Sequence, residues 1–338
     1  MSLKKIAKEL GISVTTVSRA INGYSDVAQE TRQKVLDAAQ KMGYQPNMMA
    51  RRLKMGKIDS VGLLLPAQSL HGDNTMLLEI VAETSHHLAK QDIDLLLISD
   101  DDNEQSDMLL RTIQSRKVNA LIVAHTRPQD SRLELLQHYN FPFVAMGRSQ
   151  LAKPYAWFDF DNQQGTWLAT RHLIAQGHTR IALLCNDSPQ TFAIQRKQGY
   201  LQALQESGMK ADSSLILALP NSRRRSYEAT LQLLQQSNAP TAIVTTDSLF
   251  GEGAALALQE QKLLPHGIAL IAYDGLPPDS IITQDVSSIT QATSQEVGQQ
   301  IASMMLSLLQ GEKPENLQVL WQPQLHLGET SGHPLLQG

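Results

Sequence analysis

Leu3-Lys-Lys-Ile-Ala-Lys-Glu-Leu-Gly-Ile-Ser-Val-Thr-Thr-Val-Ser-Arg-Ala-Ile-Asn22 is the stretch whose reading decides this chain. Its spacing predicts a helix, a tight turn and a second helix. Ile6, Ala7 and Leu10 fall on one helical face, and Gly11 lets the chain leave through positive φ. Ser13 stands where an N-cap belongs, and Val17, Ala20 and Ile21 give the second helix its apolar side. The other side carries Val14, Thr15, Ser18, Arg19 and Asn22, short or forked groups that suit base edges and phosphates. This is the pattern of a helix-turn-helix with the second helix as reader. A plain helical hairpin packed on a larger core shares the pattern, and the charge distribution separates the two.

Residues 1–57 hold eleven Lys and Arg against four acids, a surplus of +7. The remainder of the 338 residues holds 18 against 29, a deficit of −11. A basic head on an acidic body indicates one polyanion-binding module. The length allows two or three domains with full cores. The single Cys185 lies in the apolar run Ile181–Cys185 and reads as a core residue in a reducing cytoplasm. The N-terminus reads as amphipathic helix rather than signal peptide, and no apolar run has the length of a membrane span.

A third helix is expected from Gln29 or Glu30 to Met42, with Val35, Leu36 and Ala39 inward, Gly43 closing it and Tyr44 packing back. Asn47 then caps a short helix, Met48–Lys54, too short to stand alone. It carries Arg51, Arg52, Lys54 and Lys57 for phosphates and Leu53 as a wedge for a minor-groove base step; a plain basic linker is the competing reading. From Ser60 onward the texture alternates. Strands are expected at 61–65, 94–98, 120–124, 143–146 and 156–160, and then at 181–185, 215–219, 242–245, 269–272 and 287–290. Helices are expected at 75–90, 104–115, 131–139, 162–176, 191–206, 226–236, 251–261 and 295–310. That alternation argues for two doubly wound parallel-sheet lobes, with ligand in the cleft at the carboxyl ends of the strands.

These residues resemble a known family, the lactose/galactose repressors (LacI/GalR). The head matches at Gly11-Ile-Ser-Val-Thr-Thr-Val-Ser-Arg-Ala-Ile-Asn22, Val27-Ala-Gln-Glu-Thr-Arg32, Gly43-Tyr-Gln-Pro-Asn47 and Ala50-Arg-Arg-Leu53. The body matches at Asp161-Asn-Gln-Gln-Gly165, Gln176-Gly-His-Thr-Arg180, Arg196-Lys-Gln-Gly-Tyr200, Thr246-Asp247 and Ala272-Tyr-Asp-Gly275. Ala156-Trp-Phe-Asp-Phe-Asp-Asn162 and Tyr273-Asp-Gly-Leu-Pro-Pro-Asp279 narrow the likeness to repressors of raffinose or other α-galactoside operons.

The resemblance implies an all-α helix-turn-helix headpiece over residues 1–46, a hinge helix and linker over 47–59, and an α/β body over 60–338. The body would be a two-lobe, periplasmic-binding-protein-like unit of two doubly wound parallel sheets. Its N-lobe would take about 60–160 plus 292–320, and its C-lobe about 161–290 plus 321–332. The implied partners are double-stranded operator DNA with a pseudo-palindrome, a sugar inducer such as raffinose or melibiose, and a second copy bound through the body. No membrane, metal or cofactor is implied, and the implied location is the bacterial cytoplasm. Val14, Thr15 and Arg19 occupy the positions that read bases. Ser2, Thr16, Ser18, Asn22 and Thr31 would hold phosphates, with Leu3 among the DNA-binding residues. Asn47, Ala50 and Leu53 match the hinge helix. Ala28 stands where the family usually places a capping Ser.

For the effector, Arg196 and Asp274 match the family's ligand positions. Asp247 lies in the same pattern, with Thr246 replacing the commoner Asn. Phe160 and Asp161 sit at the lobe crossover, and His71, His125, Tyr227, Gln291 and the Gly147-Arg148 pair are candidates by spacing. Sugars need carboxylates or guanidinium groups for adjacent hydroxyls and apolar surface for the C–H face. Taken one by one, Asp247 also fits a helix cap, Arg196 a salt bridge within its own helix, and His125 a turn residue. Trp157 and Trp167 read as core or interface.

An enzyme finds no support. There is no Gly-x-x-x-x-Gly-Lys, Gly-x-Gly-x-x-Gly, His-Glu-x-x-His or Gly-x-Ser-x-Gly, and no Cys/His cluster with metal spacing. A transport receptor with similar lobes has no use for a basic head. A regulator of the same architecture answering to another ligand, or to a corepressor, stays open.

Overall fold

The structure is a computed structural model; it describes residues 3–21, 24, 26–42, 60–66, 75–100, 105–115 and 117–333. The chain divides into two units, residues 1–59 and residues 60–338.

In the first unit, α1 (Leu3–Leu10), α2 (Val14–Ile21) and α3 (Gln29–Lys41) enclose a small core. Ile6, Ala7, Val17, Ala20, Val35 and Ala39 are its buried members. Gly11 takes φ +64° between α1 and α2, a conformation open to glycine at no Cβ cost. Ser13 caps α2, its Oγ accepting from Thr16 N at 3.0 Å. Leu36, expected inward, is 42% exposed. One narrow stripe suffices to close so small a core, and Val35 and Ala39, four residues apart, already fill it. The hinge segment with Asn47, Ala50 and Leu53, the Gly43-Tyr44 closure, and Ser2, Asn22 and His71 lie outside the described residues.

The second unit holds two six-stranded sheets. The first contains β1 (Ser60–Pro66), β2 (Asp94–Asp100), β3 (Ala120–Val123), β4 (Phe143–Met146), β5 (Ala156–Phe160) and β11 (Gln318–Trp321), in the order β11-β5-β4-β3-β1-β2. Helices α4 (Thr75–Ala89), α5 (Gln105–Ser115), α6 (Ser131–His138) and α11 (Ser294–Leu309) accompany it. The second contains β6 (Ile181–Asn186), β7 (Ile216–Leu219), β8 (Ala242–Thr245), β9 (Ala269–Tyr273), β10 (Ser288–Thr290) and β12 (Gln324–His326), in the order β12-β10-β9-β8-β6-β7. Its helices are α7 (Asn162–Ala175), α8 (Thr191–Glu206), α9 (Arg223–Leu234) and α10 (Ser248–Glu260). Every pairing is parallel except β10 with β12. The inner strands are continuous apolar runs because helices cover both faces. Cys185 is buried in the second lobe's core with Leu183, Val244 and Ile271.

The chain passes between lobes three times: after β5, after β10 and between β11 and β12. Asp161 N donates to Trp321 O at 2.9 Å, tying the first passage to the third. The cleft therefore opens where the strands of both sheets end and the three passages meet, the usual ligand position in such sheets. Among the described residues, no helix is long and apolar enough to cross a membrane.

Candidate functional site

The candidate site is built round Arg196, which α8 carries on its buried side. Its Nε donates to Asn162 Oδ1 at 3.0 Å, and its NH1 donates to Thr246 O at 2.7 Å and to Asp274 Oδ2 at 3.1 Å. The guanidinium Cζ sits over the Tyr273 ring, 3.6 Å from its centroid, with the Phe192 centroid at 5.3 Å. Arg196 thus ties α7, α8 and the ends of β8 and β9 together within the second lobe, rather than forming a salt bridge within its helix. Burial works against its charge, but the Asp274, Tyr273 and Asp247 charges outweigh that and raise its pKa. Tyr273 is held in turn from two sides. Gln291 Nε2 donates to its hydroxyl at 3.1 Å, and a Cβ on Gly165 would fall 2.6 Å from that oxygen. Glycine at 165 lets the backbone of α7 approach the ring.

Asp274 bonds this guanidinium directly, and Asp247 feels its charge without bonding it. Asp247 caps α10, accepting from Leu249 N at 3.0 Å, and burial, aided by the Asp274 charge, pushes it up to about 6. Asp247 is therefore a helix cap that also lies in the field of Arg196 and Asp274. Asp274 Oδ1 is buried and has no hydrogen-bond partner. A buried carboxylate oxygen without a donor is costly to keep.

The first lobe supplies the facing wall. Arg148 Nε donates to Asp159 Oδ2 at 2.9 Å, and Asn162 Nδ2 donates to Asp159 Oδ1 at 3.2 Å. A continuous chain, Arg148–Asp159–Asn162–Arg196–Asp274, hence joins the strand ends of both lobes. Above it, the Gln190 amide nitrogen lies 3.0 Å from His125 Nδ1, and Thr191 N donates to Thr126 O at 2.8 Å. Burial, aided by the Arg132 charge, pushes the His125 imidazole down to about 4. Phe160 and Trp321, directly paired across β5 and β11, stand 6.1 Å apart with Phe158 behind them.

Backbone geometry singles out the same place. Five non-glycine residues have positive φ among the described ones: Asp92, His125, Asn140, Lys262 and Asp274. Three of them follow helix ends, where left-handed residues are ordinary. His125 and Asp274 instead follow strands β3 and β9 and turn their side chains into the cleft region, the kind of local strain that gathers at binding sites.

Two candidates do not join. Tyr227 bonds through its hydroxyl to Glu260, the last residue of α10, whereas Asp247 caps the first turn. At about 1.5 Å per residue that is roughly 20 Å away along the helix. The buried face of α9 is Ser226, Ala229, Thr230 and Leu233, and Tyr227 is one step round from it. Asp161 points at its own helix: its Oδ1 accepts from Gln164 N at 3.1 Å and its Oδ2 lies 3.4 Å from Gln322 Nε2. Gln291 sits behind Tyr273 as its support, and Gly147 follows β4 with φ +111° beside Arg148. Asn162, Asp159, Tyr273 and Trp321 were missed by sequence reasoning. Each is placed by pairing over long sequence distance, which leaves no local signal.

In the head, Val14, Thr15 and Arg19 are exposed on α2, and Leu3, Thr16, Ser18 and Thr31 are partly exposed. Thr16 Oγ1 is 2.8 Å from the capping Ser13 Oγ. This face of α2 is therefore solvent-facing, while Val17 and Ala20 hold the other side.

The model for the bacterial regulatory proteins of the lacI family matches residues 2–47. The model for periplasmic binding proteins and the sugar-binding domain of the LacI family matches residues 58–324. The chain belongs to the LacI family. Its family membership makes it a DNA-binding transcriptional regulator. The chain is 46% identical to the HTH-type transcriptional regulator RafR of Escherichia coli, over 99% of both chains. A crystal structure of a transcriptional regulator from Yersinia pestis biovar Microtus is 44% identical, with TM-score 0.80 over 82% of this chain and 100% of that one. The lac repressor dimer bound to operator and the anti-inducer ONPF superposes with TM-score 0.85, covering 98% of this chain and 99% of that one, at 23% identity; this likeness concerns the fold alone.

Proposed function

We propose that this regulator is a homodimeric repressor of a carbohydrate operon, released from a pseudo-palindromic operator by an α-galactoside such as raffinose or melibiose. The observation that carries the ligand class is the unpartnered Asp274 Oδ1 beside Arg196 and Asp247. An acceptor in need of a donor, a guanidinium and a second carboxylate suit adjacent hydroxyls, and Phe160 with Trp321 offers apolar surface for a sugar ring. The whole-length likeness to RafR supports the α-galactoside. Repression and release are linked: sugar and DNA each weaken the other by one common factor.

For the second copy, the β2 edge offers exposed Leu96 and Leu97, and α4 exposes Leu78. An apolar open edge of this kind is covered in a stable protein.

The test is operator release, read by fluorescence anisotropy at fixed salt because the phosphate contribution depends on it. Melibiose, raffinose, galactose, sucrose and maltose are titrated into the complex. Release by the α-galactosides at micromolar to millimolar levels is expected. DNA binding unmoved by every sugar would remove the inducer reading and leave the regulator.

A further inference from the structure

We propose that Asp26 is a specificity-determining residue of the head, gripping one edge of the Arg19 guanidinium so that the other edge is presented to guanine. This rests on the reading of Arg19 as a base-contacting residue.

Arg19 leaves the last turn of α2, and its side chain is held in three ways. Its Nε donates to Asp26 Oδ1 at 3.2 Å, its NH2 lies 2.5 Å from Asp26 Oδ2, and its Cζ lies 5.3 Å from the Tyr24 ring centroid. The turn that carries these partners is itself anchored, because Arg32 NH2 donates to Tyr24 O at 2.6 Å. The pair is at the surface, with the two side chains 46% and 50% exposed, on the helix that also exposes Val14 and Thr15.

A guanidinium is a planar fork of five N–H donors. The carboxylate takes the edge made by Nε and NH2. The edge made by NH1 and the outer hydrogen of NH2 is left as a two-donor fork, the pattern that matches O6 and N7 of guanine. Adenine offers a donor where guanine offers O6, so a fork held in one orientation rejects it. An arginine without such a grip turns freely and also takes phosphates, which carry no sequence information. Asp26 closes that route twice: it orients the cation, and its own negative charge opposes the phosphate backbone.

The charge and the orientation move opposite quantities, which makes the idea testable. The full-length protein is used to select a duplex from a random library. Binding is then measured on that duplex, on copies with each half-site guanine changed to adenine, and on unrelated DNA, all at one salt concentration. Asp26→Asn should tighten binding to unrelated DNA severalfold, because a negative charge is gone. The preference for guanine at one half-site position should fall by roughly tenfold. Asp26→Glu, which keeps the charge, should retain part of the preference, and Asp26→Ser should behave as the asparagine variant does. If Asp26→Asn tightens all duplexes alike and the preference survives, Asp26 only competes with DNA for Arg19 and the proposal falls. Arg19→Ala separates the underlying reading: if that variant keeps every preference, Arg19 reads no base, whatever Asp26 does.

Discussion

Arg196 stays charged in the interior because Asp274, the Tyr273 face and Asp247 surround it. Removing it strands the Asp274 carboxylate, so Arg196→Ala should lower stability by about 3 kcal/mol and abolish release by sugar while operator binding persists. Arg196→Lys keeps the charge but loses the fork, and sugar affinity should fall at least roughly tenfold. Calorimetric sugar affinity equal to wild type in either variant would take Arg196 out of the site. Two titrating neighbours act with opposite sign. Asp247 titrates at about 6 in the fold, against about 3.9 in an unfolded chain. Between those values the folded state holds a proton the unfolded state lacks, so this contribution is present at low pH and lost as pH rises through about 6. His125 titrates at about 4 in the fold, against about 6.5 unfolded. Its contribution is present at high pH and lost as pH falls through that interval. Each amounts to about 3 kcal/mol. Asp247→Asn leaves the histidine unopposed, so its urea midpoint should drop more than that of wild type between pH 6 and 4.5. Parallel midpoint curves would mean that Asp247 does not titrate there.

At the level of elements, α3 starts without a side-chain cap, because Ala28 has no oxygen to offer. Ala28→Ser should stabilise the head by about 1 kcal/mol, seen as a higher melting temperature of the helical signal. No change would mean that the serine hydroxyl fails to reach the α3 amides. The long helices and inner strands were legible as sequence, since periodicity and apolar runs report local geometry. Phe143–Met146, Ala156–Phe160, Thr191–Glu206 and Ala242–Thr245 stand where the pattern puts them. The start of α9 at Arg223 rather than at Ser226 was hidden by three arginines, which look like loop; Ser222 caps the helix, and Glu228 and Glu252 pair with them.

For the whole molecule, the chain through Asn162 joins Arg196 to Asp159 and Arg148 of the other lobe. Asn162→Ala should leave operator affinity in place and reduce the factor by which sugar weakens it, from the 5- to 150-fold typical of such coupling toward about one. An unchanged factor would show that the two lobes communicate by another route. Leu97→Arg places a charge on the exposed β2 edge and should shift the sedimentation coefficient toward monomer; an unshifted dimer would move the interface elsewhere.

The residue order alone determined the helix-turn-helix, the charge split, the alternation of strands and helices, and the membership that Thr16-Val-Ser-Arg19 and Gly43-Tyr-Gln-Pro-Asn47 announce. All of these rest on neighbours within a turn or two of helix, or on sums over a segment. Only the tertiary structure decided what Arg196, Asp247 and Asp274 do together, since β8, β9 and α8 must pack before the three can meet. It also turned Asp161 to its own helix and Tyr227 to the far end of α10. And it laid Asp26, seven residues on, against Arg19. Spacing tells which side of a helix a residue occupies; only packing tells which charge it meets there.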